Sequence, residues 1–340
     1  MSKSGGACFT PRIQPRPAYP SALTVARQTF RDYGRDILHG AILLTLLAPL
    51  YDATLTAWRA SGLTDRAFFA SFLSLSHTVC YASVCGFFYL IESRGWLRGA
   101  KIPRKRALTQ NKAKLDRSCF FEAAIGQVVT GPLISYFIFD VFAYFGMPPL
   151  AADAAATWRS ADGLLALTKA IVVGHLFNDV TFYWAHRTSH TRLLYSKVHK
   201  QHHTYSATVA HAAEYAGPVE TVLANQLPTI GGILFFGRRF ELLCVWVVLR
   251  LKQTYEVHSG YCFGGVSDAL WITCAEGTTQ HDFHHSHNSG CFGAMWLDWL
   301  CGTMDGYCAL GGDSAAYVAK MARDADAEAR WEGGAAKKAD

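Results

Sequence analysis

Three histidines fall within five positions at His199, His202 and His203, in "HKQHH", and the same spacing returns at His281, His284 and His285, in "HDFHH". His186 and His190 form a third group, "HRTSH", and His258 stands alone in "YEVHSGY". Crowded imidazoles are costly, because protonated neighbours repel and neutral ones need partners. Spacings of three and four residues put side chains on one face of a helix. Each group is therefore expected to aim two or three rings at one point, and the repeated triad suggests two faces meeting around a shared centre. Neutral imidazole suits zinc, copper, iron and nickel. Structural zinc usually enlists cysteine, and none of the ten cysteines forms a CxxC pair. HExxH is absent, which removes the general base of a zinc peptidase. Glu-x-x-His is absent as well, which removes the carboxylate-bridged di-iron bundle. An all-histidine di-metal centre remains, with four or five rings per ion. Iron is the choice, because nitrogen ligands with open positions can bind O2; the ring count leaves zinc and copper open.

Ligating histidines need partners at their second nitrogen. Asp179 lies seven residues before His186, two helical turns away on the same face, and is a candidate for that part, as are Glu214 and Glu220. His77 and His175 lie in apolar runs and read as buried, hydrogen-bonded residues. His287 is left out of the ligand set.

The elements that must carry these groups are set by hydropathy. The chain has 340 residues, 51% hydrophobic and 17% charged, with a mean hydropathy of +0.11. That balance excludes an ordinary soluble enzyme and predicts an all-α integral membrane protein. Four runs are long enough to span, at about 37–58, 68–92, 120–147 and 163–185, interrupted by Asp52, His77, Asp140, Lys169, His175 and Asp179, which should face the bundle interior or an end. Between the second and third spans, residues 93–117 hold nine Lys/Arg against one acid, Asp116. The positive-inside rule puts this loop and both termini in the cytosol. Residues 1–36 read as a cytosolic tail, 37–185 as the membrane part, 186–310 as a cytosolic histidine-rich helical region with a membrane-associated segment at 221–251, and 311–340 as a C-terminal tail. Lys337 and Lys338 resemble a dilysine retrieval signal of the endoplasmic reticulum. The net charge of +6 sits beside apolar runs without interleaved aromatics, which argues against nucleic-acid binding.

In order and spacing, "FYWAHRTSH", "HKQHH", "AEYAGPVET", "VHSGY", "HDFHH" and "WLDWLCGT" resemble the fatty acid hydroxylase / sterol desaturase superfamily of membrane di-iron enzymes, and within it the sterol C4-methyl oxidases. The resemblance covers about 178–305. It implies two irons per chain, held by His186, His190, His199, His202, His203, His258, His281, His284 and His285. It implies O2 as co-substrate, electrons from NAD(P)H through a reductase and cytochrome b5, and oxidation of a 4-methyl group on a sterol precursor in the endoplasmic reticulum membrane. Sterol C5 desaturation, fatty-chain hydroxylation, an aldehyde-forming reaction and a metal-poor sterol-binding scaffold are the alternatives. Gly217 stands where the family usually carries histidine, and His211, six residues earlier, is a possible substitute ligand. "HSGYCFGG" lacks the proline that the family tends to carry after the tyrosine.

Overall fold

The structure is a computed structural model that describes residues 17–104, 112–236, 239–270 and 272–336. Lys105 and Arg106 of the basic loop, and the terminal Lys337 and Lys338, lie outside the described residues. The described residues are helical, with no strand beyond one isolated bridge between Lys101 and Tyr261. The long helices are α1 (Ala22–Ala60), α2 (Asp65–Ser93), α3 (Lys112–Ile125), α4 (Gly131–Tyr144), α5 (Ala161–Ser189), α6 (Phe240–Val257) and α7 (Ala275–His287), followed by the short α8 (Met295–Leu300) and α9 (Ser314–Ala336). A π-helical turn at Gly126–Thr130 joins α3 to α4. Four stretches are long and apolar enough to cross a membrane: Ala22–Ala60, Asp65–Ser93, Ala113–Tyr144 and Ala161–Ser189. The chain is an all-α membrane protein.

Two boundaries differ from the sequence reading. Residues 22–36 are not tail but the first four turns of α1. Ser21 caps them, its Oγ accepting from the Thr24 N–H at 3.1 Å, and Val25, Arg35 and Asp36 are buried. A hydropathy window misses such a start because the buried groups there are charged: Arg35 pairs with Asp36, which also accepts from His175 at 2.9 Å. At its other end, α5 does not stop at 185. It carries His186 in its last turn and ends with His190 as C-cap, so the first histidine group is the membrane helix itself.

The polar residues within the spans find partners. Asp52 accepts the backbone N–H groups of Ala154 and Ala155, both at 2.9 Å, capping a short helix between α4 and α5. Asp140 pairs with Arg66, and His77 with Glu214 at 2.7 Å. The apolar segment 221–251 resolves into short turns and the first part of α6. Its Leu242, Leu243, Val245 and Trp246 pack against Leu44, Phe69, Leu167 and Ile171 of the spans. The hydrophobicity of α6 thus serves the bundle core, while Val222, Leu223 and Leu227 stay exposed. Gly174 of α5 allows the close approach: a Cβ there would stand 2.9 Å from the Trp246 ring.

Candidate metal centre

Nine imidazoles from four segments converge at one end of α5. His186, His190, His199, His203 and His284 form one group; His202, His258, His281 and His285 form the other, and within each group the ring nitrogens lie within 4.8 Å of one another. The triads do not act as units, contrary to the sequence expectation. His199 and His203 join the first group while His202 joins the second; His281 and His285 join the second while His284 joins the first. The reason is helical geometry. On α7, positions four apart differ by about 40° and adjacent ones by about 100°, so His284 must leave the face that His281 and His285 share. "HKQHH" is not a regular helix: His199 ends a π-helical turn and His202 begins a 3₁₀ turn. The two groups interleave, with the His203 and His285 rings stacked 4.6 Å apart across the join.

The donor set fits metal ions. In the first group Nε2 of His199 stands 3.0 Å from those of both His186 and His203, and Nε2 of His284 stands 3.1 Å from those of His190 and His203. In the second, Nε2 of His258 is 2.8 Å from His281 and 3.3 Å from His202, and His281 is 3.1 Å from His285. With metal–nitrogen bonds of about 2.1 Å, ligands at right angles stand about 3.0 Å apart. Four rings have Nδ1 against a backbone carbonyl: His186 on Phe292 at 2.6 Å, His284 on Gly290 at 2.7 Å, His258 on Thr254 at 2.7 Å and His285 on Tyr205 at 2.9 Å. A carbonyl only accepts, so those Nδ1 atoms carry the proton and the Nε2 lone pairs point inward, two in each group. Facing lone pairs repel, and a cation between them removes the repulsion. Burial also keeps the rings neutral. It lowers His190 to about 4 and His202 and His258 to about 3, and it depresses His199, His203, His281, His284 and His285.

The three candidate carboxylates separate. Glu220 accepts from His199 Nδ1 at 2.7 Å, and burial raises its carboxyl to about 9. Asp179 does not touch a ring of either group; it accepts from Tyr33 at 2.8 Å and Trp296 at 3.0 Å. Glu214 likewise lies elsewhere, bound by His77, Tyr255 and Gln127. His211 joins neither group. It is buried, pairs with Asp116 at 2.9 Å and stacks on Phe120. Gly217 lies over the "HKQHH" turn, where a Cβ would meet the Val198 carbonyl at 3.7 Å.

Two aspartates that sequence reasoning passed over hold the scaffold. Asp282, inside "HDFHH" and fully buried, pairs with Arg104 and accepts from Thr208 at 2.7 Å and Tyr317 at 2.8 Å. Asp298, inside "WLDW", accepts from the N–H groups of Phe292 and Gly293 at 2.8 and 2.9 Å and from Thr303 at 2.6 Å. It fixes the loop whose Phe292 carbonyl orients His186. Gly290 and Cys291 in that loop have positive φ, which turns the Gly290 carbonyl towards His284. The quoted phrases contain both aspartates; the carbonyls leave no trace in side-chain identity.

A cavity of about 710 Å³ runs from these rings into the bundle, lined by α1, α2, α4, α5 and α6, with His186, His199, His202, His258 and His281 at its wall. That volume suits one lipid-sized ligand.

Comparison with known proteins gives the family. Residues 171–303 match the fatty acid hydroxylase family model. The chain is 30% identical over 243 residues to methylsterol monooxygenase 2-2 of Arabidopsis thaliana, covering 70% of this chain and 85% of that protein. It is 28% identical over 236 residues to methylsterol monooxygenase 2-1 of the same plant, covering 65% and 82%. It is 37% identical over 137 residues to a very-long-chain aldehyde decarbonylase of Oryza sativa subsp. japonica, covering 39% and 50%. No solved structure matches. Its four apolar helices, its two histidine groups and these relatives together place the chain in the fatty acid hydroxylase family, and it is a membrane oxidoreductase.

Proposed function

We propose that the protein oxidises a C4-methyl group of a sterol precursor, using O2 and two irons, one in each histidine group. The observation that carries this reading is the sorting of nine neutral imidazoles into groups of five and four at the wall of a cavity between apolar helices. The methylsterol monooxygenase relatives support the substrate class. Iron bound there would supply the reduction of O2 and the oxidation of an unactivated C–H bond. The chain's own contribution is positional. Backbone carbonyls fix the ring tautomers, Glu220 holds His199, and Asp298 holds the loop that aims His186. The apolar walls keep water from the bound lipid. Electrons come from NAD(P)H through a reductase and cytochrome b5. The enzyme lies in the endoplasmic reticulum membrane with both termini and the histidine groups cytosolic, so that lipid enters from the bilayer and electrons from the cytosol.

The test is product analysis by mass spectrometry, with the full chain in lipid discs, a 4,4-dimethyl sterol, O2 and the reductase system. Hydroxymethyl, aldehyde and carboxylate products at C4 are expected. A new ring double bond alone would point to desaturation, and an unchanged sterol would reject the reading. The rice decarbonylase relative favours a second reading, in which the substrate is a long-chain aldehyde; a very-long-chain aldehyde in the same assay separates the two.

A further inference from the structure

Among the described residues, one Arg or Lys lines the cavity, and it has donors to spare. Arg250 of α6 is partly buried and lines the cavity beside Asp179, Phe182 and Trp296. Its guanidinium offers five N–H groups. Gln253 Oε1 takes one at 2.6 Å, and the Phe182 ring lies beneath it, 5.9 Å from the centroid. Among the described residues no carboxylate lies within ion-pairing distance of Arg250. Two acids around it are engaged elsewhere: Asp179 with Tyr33 and Trp296, Asp36 with Arg35 and His175. They pull on the guanidinium only through space, and burial holds it below its ordinary value. None of its donors is buried without a partner, and the residue lines the cavity. A second polar cluster on the cavity wall differs. There Glu214 is saturated by His77, Tyr255 and Gln127, which leaves little for a ligand.

Position adds the chemistry. Phe182 lies one turn before His186, with its ring 5.1 Å from the imidazole. The guanidinium is thus one aromatic ring away from the first histidine group. A lipid whose reacting carbon sits at the metal centre would direct an oxygen borne on the second carbon from it towards the Arg250 side of the Phe182 ring. The through-space pull of Asp179 favours a neutral oxygen over a second anion.

We infer that Arg250 is the specificity residue that donates to a hydroxyl oxygen carried by the substrate on the second carbon from its reacting carbon. This rests on the sterol reading, in which that oxygen is the 3-hydroxyl. The test compares the wild-type chain with R250Q in lipid discs, on a 4,4-dimethyl sterol and its 3-deoxy counterpart. Both turnover and equilibrium binding are measured. Loss of a charged hydrogen bond should lower kcat/KM and affinity for the alcohol by about 10- to 100-fold. The 3-deoxy lipid should change less than about three-fold. Equal losses on both lipids, or no loss, would overturn the inference. Where R250Q does not fold, R250K keeps the charge but not the planar fork, and the same hydroxyl-selective loss is required of it. If the wild type turns over neither sterol, the function reading fails; hydroxyl-selective binding that depends on Arg250 would still sustain this one.

Discussion

At the scale of single residues, the centre depends on groups that orient rings rather than on the rings alone. His199 is the shared neighbour of His186 and His203, and Glu220 is what holds it. Removing such a partner typically lowers metal affinity 10- to 100-fold. E220A is therefore expected to lose iron at chelator concentrations the wild type withstands, with E220Q intermediate, as read by metal analysis per chain. Asp298 acts one bond further out. D298A leaves the partly buried Phe292 and Gly293 N–H groups without that acceptor, at a cost on the order of 2–4 kcal/mol. Thermal unfolding in detergent should show that loss. Activity should fall further than stability, because the carbonyl that orients His186 moves with the loop. An unchanged turnover rate in folded D298A would refute this role. H211A, by contrast, should keep the full iron content, since His211 joins neither group.

At the scale of elements, α7 supplies His281, His284 and His285 to both groups at once, so its angle about its own axis sets the relation between them. Asp282 fixes that angle through Arg104, Thr208 and Tyr317. Removing one partner of a buried pair costs about 3–5 kcal/mol, because the other charge stays buried and unpaired. D282L should therefore unfold at a markedly lower temperature, and R104M/D282L should recover much of the loss. If the double variant is no more stable than the single one, Arg104 is not the balancing charge. Much at this scale could be read from the chain. Hydropathy located four spans, and the i, i+4 spacing placed pairs of histidines together. It could not show the start of α1, where buried charge stands in place of apolar residues. Nor could it show that "HKQHH" leaves regular helix.

At the scale of the whole molecule, the nine rings couple fold, metal and pH. Burial lowers the ring-group histidines outside the spans below their ordinary value near 6.5, His190 to about 4 and His202 and His258 to about 3, with His199, His203, His281, His284 and His285 also depressed. The unfolded chain then binds more protons than the folded one between those limits, so stability is full above about 6.5 and declines as pH falls towards 4 and 3. Bound metal steepens the loss, since protons and metal compete for the same nitrogens. Iron content after dialysis and the unfolding temperature should therefore fall together as pH drops from 7 to 4. Chelation at neutral pH should lower the unfolding temperature without acid. A pH-independent iron content would argue against imidazole ligation.

The amino-acid sequence by itself determined that this is a helical membrane protein and that its histidines recur at three- and four-residue spacing, because span length and ring spacing are local properties of composition and order. Only the tertiary structure decided how those histidines divide. That division depends on the rotation of α7 against the "HKQHH" turn and α5, and on carbonyls aimed by the Asp298 loop. Neither is encoded in any one segment. Both follow from packing between segments up to about a hundred residues apart, such as His186 and Phe292.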